Sequence, residues 1–231
     1  MIKARKSAPA IKPKKMQCVL LSWEDIYEYC RVVAGKVRQD KFRPDIIIAI
    51  ARGGYVPARN LCDQLAVADL ASIKVDHWGV TATKDNRARL RHPFNASVQD
   101  KNVLVVDDLA DTGESFKTAV PAIQALNPRE LRTATVFLLE KSKYVPDYYA
   151  AKRKWAWMIF PWNFTEDMVN LTHKLLGKKA VDAATITDKV RENYGITVPR
   201  AKMLDVLHEM EQRGMIKTVI SKGNHHEWRK A

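Results

Sequence analysis

The stretch VLVVDDLADTGES, residues 103–115, decides how this chain folds and where its chemistry lies. Four aliphatic residues run directly into two carboxylates, and such a short apolar run is typical of a strand buried on both faces of a parallel sheet. A third carboxylate and a Thr-Gly pair follow, and residues 113–126 then have a helical pattern. Strand, turn and helix in this order predict one βα unit of an α/β fold.

Residues 16–163 repeat this alternation. Ser22, with Asp25 three residues later, is a predicted N-cap for a helix that runs to about residue 38. Residues 81–97 are polar, rich in arginine and without a clear period, so we expect a long loop there. The fold class predicted is therefore α/β, with a mainly parallel sheet flanked by helices. Further strands are expected at 17–22, 45–54, 71–78, 133–139 and 155–160, and a further helix at 56–66.

The composition changes after residue 163. Residues 164–231 contain three helical patterns, at 165–176, 182–194 and 199–213, followed by two short strand-like runs with a Lys-Gly-Asn turn between them. This order predicts a small C-terminal α+β domain that resembles a winged helix. The chain thus divides into a basic flexible tail (1–15), a main domain (16–163) and a winged-helix-like domain (164–231).

Composition and charge narrow the classes of function. The chain has 231 residues, 46% of them hydrophobic, and a net charge of +13, which favours anionic partners such as phosphates or nucleic acid. The tail is expected to be solvated, with a nucleic-acid contact arm as the alternative. Three sparse cysteines without metal-type spacing predict a reducing, cytoplasmic environment, and no apolar run is long enough to span a membrane.

The paired carboxylates Asp107 and Asp108 are expected at the carboxyl end of a strand, where open α/β sheets bind ligands. Two adjacent carboxylates repel each other and cost desolvation energy unless something donates hydrogen bonds to them or binds them. A vicinal diol or a divalent cation would do so. The plainer alternative is a structural turn in which Asp111 or Thr112 caps the following helix.

The segment DTGES adds an anion site. Backbone N–H groups at a helix N-terminus favour a phosphate, Gly113 has no Cβ to block its approach, and Thr112 and Ser115 carry hydroxyl groups. A diol site beside a phosphate site describes ribose 5-phosphate.

This stretch resembles the phosphoribosyl pyrophosphate signature of the type I phosphoribosyltransferases, and most of all that of the 6-oxopurine enzymes. The resemblance implies phosphoribosyl pyrophosphate as substrate and Mg²⁺ as cofactor, with Asp111 as the general base and Asp108 as a metal ligand. Glu114 departs from the usual motif, because it places a carboxylate inside the phosphate loop. The residues implied to bind phosphoribosyl pyrophosphate are Asp107, Asp108, Asp111, Thr112, Gly113, Glu114 and Ser115.

Two further segments match the pyrophosphate site of that family. Arg52, Gly53 and Gly54 resemble its pyrophosphate loop, in which Arg52 acts in catalysis and the peptide bond before it can be cis. Arg87 and Arg89 lie where the family has a mobile catalytic loop, with Arg91 beyond them. The alternatives are a simple turn for the glycines and an exposed basic loop for the arginines.

The resemblance also implies a base site. Lys141, directly after a strand, would donate to the exocyclic oxygen of a 6-oxopurine, and Trp157, or alternatively Trp155, would stack on the ring. Met158 would line the base edge through its backbone, and no acid near Ile159 is present to read a 2-amino group. A surface lysine and an aromatic core patch are the plain alternatives.

We therefore expect a purine phosphoribosyltransferase that acts on xanthine, guanine or hypoxanthine and forms a dimer or a tetramer. The alternative from another class is a regulator that senses phosphoribosyl pyrophosphate and binds nucleic acid through residues 164–231.

Overall fold

The computed structural model describes residues 16–77, 88–90, 94, 96–220 and 225–231. Contacts divide the described residues into two compact units, one formed by Ser22–Trp155 and the other by residues 156–231 together with residues 16–21. The sequence placed residues 156–163 with the main domain, whereas contacts group them with the C-terminal helices. The predicted tail, residues 1–15, lies outside the described residues.

The elements follow one another as α/β alternation and then three helices and a hairpin. They are β1 (Cys18–Leu20), α1 (Trp23–Gln39), β2 (Ile46–Ala51), α2 (Tyr55–Leu65), β3 (Asp69–His77), β4 (Ala88–Leu90), β5 (Asn102–Ala110), α3 (Glu114–Gln124), β6 (Glu130–Leu139), β7 (Tyr148–Arg153), β8 (Trp157–Ile159), α4 (Phe164–Leu175), α5 (Ala183–Tyr194), α6 (Arg200–Gln212), β9 (Ile216–Ile220) and β10 (His226–Lys230).

A six-stranded sheet forms the centre of the first unit, in the order β4-β3-β2-β5-β6-β7. All neighbouring pairs are parallel except β3 with β4. Every residue of β2 is buried, as a central parallel strand covered on both faces requires. The predicted mainly parallel sheet is confirmed, and the carboxyl ends of β2, β5 and β6 lie along one edge.

Helix α1 shows how local sequence positions an element on this sheet. Ser22 Oγ accepts from the Asp25 N–H at 3.0 Å, and the Asp25 carboxylate accepts from the Ser22 N–H at 2.9 Å, so the predicted capping box is confirmed. The buried face of the helix includes Ile26, Cys30 and Val33. Complete burial of an aliphatic side chain contributes about 1.5–3 kcal/mol, so this face holds the helix in place.

Four sequence predictions about strands need correction. Strand β5 continues to Ala110, so the paired carboxylates lie inside the strand and not after it. Strand β7 was not predicted, because its charged residues Lys152 and Arg153 do not match the apolar pattern of a buried strand. Such residues are common on a sheet edge. The predicted strand at 155–160 is β8, which pairs with β1 outside the main sheet. The predicted long loop contains β4, which pairs with β3.

The second unit contains the parallel pair β1–β8, helices α4, α5 and α6, and the antiparallel pair β9–β10. The three predicted helices and the two hairpin strands are confirmed, while the predicted turn at 222–224 lies outside the described residues. Val181, just before α5, forms an additional bridge with Trp228 of β10. The core includes Ile186, Met203 and Leu207, each fully buried. In the part of the chain that the structure describes, no helix is long and apolar enough to cross a membrane.

Candidate active site

The paired carboxylates lie near the carboxyl end of β5, beside β2. Asp107 is only 6% exposed, and its Oδ1 accepts a hydrogen bond from the Asp108 N–H at 2.9 Å. Burial, together with repulsion from the Asp108 carboxylate, raises the pKa of Asp107 well above its usual range. Such a pair is stabilised by any ligand that donates hydrogen bonds to it or carries positive charge.

The glycine loop after β2 contacts this pair directly. A Cβ added to Gly53 would lie 2.3 Å from Oδ2 of Asp108, and a Cβ added to Gly54 would lie 2.4 Å from the Val106 carbonyl oxygen. The peptide bond between Ala51 and Arg52 is cis, as the resemblance implied. Two segments far apart in the sequence therefore meet at one site. A side chain at position 53 would displace the Asp108 carboxylate, and one at position 54 would overlap the backbone.

The turn after β5 leads into α3 without a side-chain cap. Gly113 is the N-cap residue, with φ of 83°, and its neighbours Asp111 and Thr112 precede the cap, so the expectation that either of them caps the helix is wrong. Thr112 Oγ1 accepts only a long hydrogen bond, 3.4 Å, from the Glu114 N–H. The N-terminus of α3 thus carries the partial positive charge that favours an anion.

Gly113 also has a packing role that the sequence did not indicate. A Cβ on Gly113 would lie 2.4 Å from the Cβ of Tyr144, whose ring stacks on Phe116 at a centroid distance of 5.1 Å. The Lys143 N–H donates to the Thr112 carbonyl oxygen at 3.1 Å. The loop after β6 therefore packs against the turn after β5, and this packing, with the positive φ, requires a glycine.

The two other acids of this turn have different surroundings. Asp111 is exposed, yet neighbouring protein atoms partly desolvate its carboxylate and raise its pKa. A carboxylate with a raised pKa accepts a proton more readily, as a general base must. Glu114 forms an ion pair with Lys117 Nζ at 2.8 Å, one turn along α3. This pairing holds the Glu114 carboxylate along the helix surface and offsets its charge.

The other predicted residues of the first unit fall at the same edge or outside the description. Lys141 is exposed in the turn after β6, in the loop that packs against the turn after β5. Arg89 lies on β4, its backbone opposite Asp76, and the structure does not describe its side chain. Arg87 and Arg91 lie outside the described residues. Trp155, the alternative stacking residue, is half exposed at the end of this unit.

The second unit holds the other predicted base-site residues. Trp157 on β8 is 44% exposed, and its indole Nε1 donates to Oδ1 of Asp167 at 3.0 Å. Partial burial raises the pKa of Asp167 to about 6. Met158 is buried, and its backbone pairs with Val19. Sequence reasoning missed Asp167, because nothing in the pattern of α4 links it to a tryptophan ten residues earlier.

The residues present set limits on a metal site. Among the residues described, no cluster of three or more His, Cys, Asp or Glu side chains could hold a metal ion. Mg²⁺ commonly takes one or two protein carboxylates and completes its coordination with water and substrate phosphates. The Asp107–Asp108 pair fits this mode of binding.

Comparisons with known proteins place this geometry in context. A model of the phosphoribosyl transferase domain matches residues 20–171. Hypoxanthine-guanine phosphoribosyltransferase of Staphylococcus epidermidis is 27% identical over 132 residues, which cover 55% of this chain and 72% of that protein. Xanthine-guanine phosphoribosyltransferase of Gluconobacter oxydans is 23% identical over 65% of this chain and 88% of that protein.

A solved structure is also similar. The purine phosphoribosyltransferase of Pyrococcus horikoshii is 31% identical, has a TM-score of 0.56, and is matched over 64% of this chain and 94% of its own length. The match thus covers nearly the whole of that protein and leaves about a third of this chain outside it.

Proposed function

Because the chain belongs to the phosphoribosyltransferase family, we propose that it transfers the 5-phosphoribosyl group from phosphoribosyl pyrophosphate to a 6-oxopurine base. The observation that carries the proposal is the contact of Gly53 with Asp108, which joins the two segments expected to bind the substrate's two ends. The names of the relatives, hypoxanthine-guanine and xanthine-guanine phosphoribosyltransferase, support a 6-oxopurine as the acceptor.

The carboxylate pair is proposed to bind the ribose. Asp107 and Asp108 would accept hydrogen bonds from the 2- and 3-hydroxyl groups of the sugar, which would stabilise two carboxylates whose burial and mutual repulsion raise the pKa of Asp107. The 5-phosphate would lie at the N-terminus of α3, where Thr112 and Ser115 supply hydroxyl donors. The ion pair between Glu114 and Lys117 supports this placement, because it reduces the charge of the carboxylate in the loop.

The pyrophosphate is proposed to lie over the glycine loop. Arg52 would donate to its oxygens, and Gly53 and Gly54 would let backbone groups approach. Arg87 and Arg89 are proposed to contribute from the segment between β3 and α3. Asp108 would be the protein ligand for Mg²⁺, which when bound neutralises charge on the departing pyrophosphate.

The transfer step needs one proton to be removed. The bond from C1 of ribose to the pyrophosphate oxygen breaks and leaves its electron pair on pyrophosphate, while a purine nitrogen forms the new bond to C1. Asp111 is proposed to take the proton that this nitrogen loses, and its raised pKa supports that role.

Base choice is proposed to depend on Lys141. Its ammonium group would donate to O6 of the purine, whereas adenine offers an N–H₂ donor at that position and leaves two donors facing each other. Trp157 is proposed to supply a stacking surface, and its exposed ring supports this. Met158 would contribute through backbone atoms.

An activity screen tests the proposed function. The full chain, phosphoribosyl pyrophosphate and Mg²⁺ are incubated with xanthine, guanine, hypoxanthine, adenine or orotate, and pyrophosphate release is followed. We expect turnover with at least one 6-oxopurine and little with adenine or orotate. Adenine or orotate as the best substrate would overturn the base assignment, and no turnover with any base would overturn the transferase proposal.

For the C-terminal residues we propose a winged-helix arrangement. The support is the order of three helices and an antiparallel hairpin, together with the isolated bridge that pairs the single residue Val181 with Trp228 of β10. The regulator alternative needs a basic recognition surface here. Residues 164–231 carry twelve Lys and Arg against nine Asp and Glu, a weaker bias than that of the whole chain, so we favour the enzyme.

The cellular setting completes the proposal. All three cysteines, Cys18, Cys30 and Cys62, are free and buried. Burial raises the pKa of the Cys18 thiol to about 11 and that of Cys30 to about 12, so these thiols are unreactive. This supports a packing role and the cytoplasmic location expected from the sequence.

A further inference from the structure

The loop after β6 (residues 140–144) carries Lys141, and it lies against the turn after β5 (residues 111–113), which leads into the proposed 5-phosphate site. The Lys143 N–H donates to the Thr112 carbonyl oxygen at 3.1 Å, so a backbone hydrogen bond joins the two segments. In the proposed function these segments bind opposite ends of the product, its base and its phosphate. Their relative position therefore sets where the base is read.

A serine side chain braces this loop internally. Ser142 Oγ donates to the Tyr144 carbonyl oxygen at 2.8 Å and accepts a longer hydrogen bond, 3.4 Å, from the Tyr144 N–H. The Ser142 N–H donates to the Leu139 carbonyl oxygen at 3.0 Å, which closes a turn around Lys141. Because these bonds restrain the loop, an anchor at Tyr144 also restrains the backbone of Lys141.

The ring of Tyr144 anchors the loop to helix α3. It is nearly parallel to the ring of Phe116, with a centroid distance of 5.1 Å and 8° between the planes, a geometry typical of attractive aromatic stacking. Phe116 is fully buried in the first turn of α3, next to Ser115. The stack thus joins the loop that carries Lys141 to the helical turn whose N-terminus is proposed to bind the 5-phosphate.

We propose that Tyr144 is a positioning residue for base recognition, because its stack on Phe116 sets the distance between Lys141 and the 5-phosphate site. Tyr144 acts through Lys141 and not by touching the substrate. The inference rests on the proposed function, since it concerns how the base is read. A displacement of about 1 Å can cost on the order of 10² in rate, so loss of this anchor should appear as poorer base recognition.

Steady-state kinetics of Tyr144→Ala test the proposal, with the 6-oxopurine and phosphoribosyl pyrophosphate varied in turn. KM for the 6-oxopurine should rise by about tenfold, and the preference over adenine should fall by a similar factor, because Lys141 is no longer held at O6. KM for phosphoribosyl pyrophosphate should change by less than about threefold, because alanine keeps the Cβ that packs at Gly113. A residue that only stabilised the fold would raise both constants or neither.

Two variants separate the role of the ring from general stability. Tyr144→Phe keeps the stacked ring and loses only the hydroxyl, which bonds with Thr133 near the start of β6, so it should stay within about twofold of wild type. Tyr29→Ala is the matched control, because Tyr29 on α1 also pairs with a phenylalanine, Phe137, at a centroid distance of 4.8 Å. It should lower stability and leave KM for the 6-oxopurine unchanged.

A double-variant cycle shows whether Tyr144 acts through Lys141. Lys141→Met removes the proposed donor at an exposed position and should by itself raise KM for the 6-oxopurine. Adding Tyr144→Ala to Lys141→Met should raise that KM by less than about twofold further, because the residue that Tyr144 positions is already gone. Effects that multiply in full would show that Tyr144 acts independently of Lys141.

Hydrogen exchange of the wild-type chain with ribose 5-phosphate needs neither turnover nor a variant. Ligand at the N-terminus of α3 should slow exchange in residues 140–144 as well as in residues 111–116, since contacts join the two segments. Protection of residues 111–116 alone would contradict the proposal.

The outcomes distinguish this inference from the proposed function. A wild-type chain that turns over a 6-oxopurine, with the same KM in Tyr144→Ala, would overturn the positioning role alone. No turnover of the wild type with any base would overturn the proposed function and this inference with it.

Discussion

The carboxyl edge of the main sheet and the surface of the C-terminal helices use the same residue types for different purposes. In the C-terminal unit, Asp188 pairs with Arg191 and Glu209 with Arg213, both at 2.7 Å on exposed helix faces. At the sheet edge, Asp107 is buried beside a second carboxylate and its pKa is raised. Exposed ion pairs contribute at most about 1 kcal/mol, whereas a buried acid pair without its ligand is costly. The two regions therefore differ in burial: the acids proposed to bind the ribose are withdrawn from water, whereas those of the C-terminal helices are solvated.

The glycines of the two regions also differ in what requires them. Gly53 and Gly113 have no room for a Cβ, because side chains from distant segments occupy that space. Gly195 and Gly214, in the C-terminal unit, have positive φ but nothing within 4 Å of a built Cβ. The former pair is required by tertiary contacts, and the latter only by the local turn.

The largest expected effect comes from removing the charges of the acid pair. Asp107→Asn combined with Asp108→Asn should lower kcat/KM for phosphoribosyl pyrophosphate by about 10³ or more, because the amides cannot accept from the ribose or bind Mg²⁺ in the same way. Steady-state kinetics of pyrophosphate release would measure this fall in kcat/KM.

The matched variant in the other region carries Asp188→Asn and Glu209→Gln, which remove two exposed ion pairs. It should keep wild-type kinetics and lose at most about 2 kcal/mol of unfolding free energy, about 1 kcal/mol for each pair. Wild-type kinetics in the Asp107/Asp108 variant would show that the acid pair is not the ribose site.

A smaller effect is expected from Gly53→Ala. The new methyl group would overlap the Asp108 carboxylate and displace it, which should reduce kcat/KM by about 10², since small displacements of reacting groups are costly. Gly177→Ala adds the same methyl group where nothing lies within 4 Å and should leave the kinetics unchanged. Equal kinetics for both variants would remove the argument that the glycine loop and the acid pair form one site.

The acid that contacts Trp157 gives a prediction about stability and pH. The pKa of Asp167 is raised from 3.8 to about 6, mainly by burial, while the Trp157 hydrogen bond opposes the shift and Glu166 adds to it. The native state therefore holds this proton more tightly than the unfolded state does. Its stabilising contribution is complete below about pH 4 and is lost as the pH rises through 6.

Urea unfolding from pH 4 to pH 7.5 measures this contribution. Relative to wild type, Asp167→Asn should gain about 1 kcal/mol of unfolding free energy over that range, a value reduced to allow for solvent screening. Cys18 on β1 also interacts with Asp167, so Cys18→Ala serves as a control that should keep the wild-type pH dependence. Glu166→Gln should only weaken the dependence, because the Glu166 charge is a minor cause of the raised pKa of Asp167. A difference between Asp167→Asn and wild type that does not change with pH would contradict the assignment.

The smallest expected effect concerns nucleic acid. Lys202 lies over the Phe164 ring at 5.4 Å, and α6 carries Asp205, Glu209 and Glu211 beside its basic residues. We expect that Arg200→Ala with Lys202→Ala changes duplex DNA binding by no more than about twofold, and that any shift at low salt is abolished at high salt. Gel shifts at two salt concentrations would check this. A salt-resistant shift that these two substitutions abolish would favour the regulator.

Much of the fold could be predicted from local pattern. The aliphatic runs predicted β2, β5 and β6, and Ser22 with Asp25 predicted the start of α1. These signals are short-range, because burial, capping and helical period depend on residues within a few positions of one another. Strand β7 was not predicted, because an edge strand can carry charged residues and so does not show the apolar pattern of a buried strand.

The sequence by itself determined that an acid pair adjoins a run of buried aliphatic residues and that a glycine-bearing turn comes next, and from these the chemistry proposed for this edge of the sheet was predicted. Only the tertiary structure decided that Gly53 meets Asp108, that Gly113 makes room for Tyr144, and that Trp157 donates to Asp167. These contacts join residues from 10 to more than 50 positions apart. They depend on the order of strands in the sheet and on the packing of loops, which no local pattern encodes.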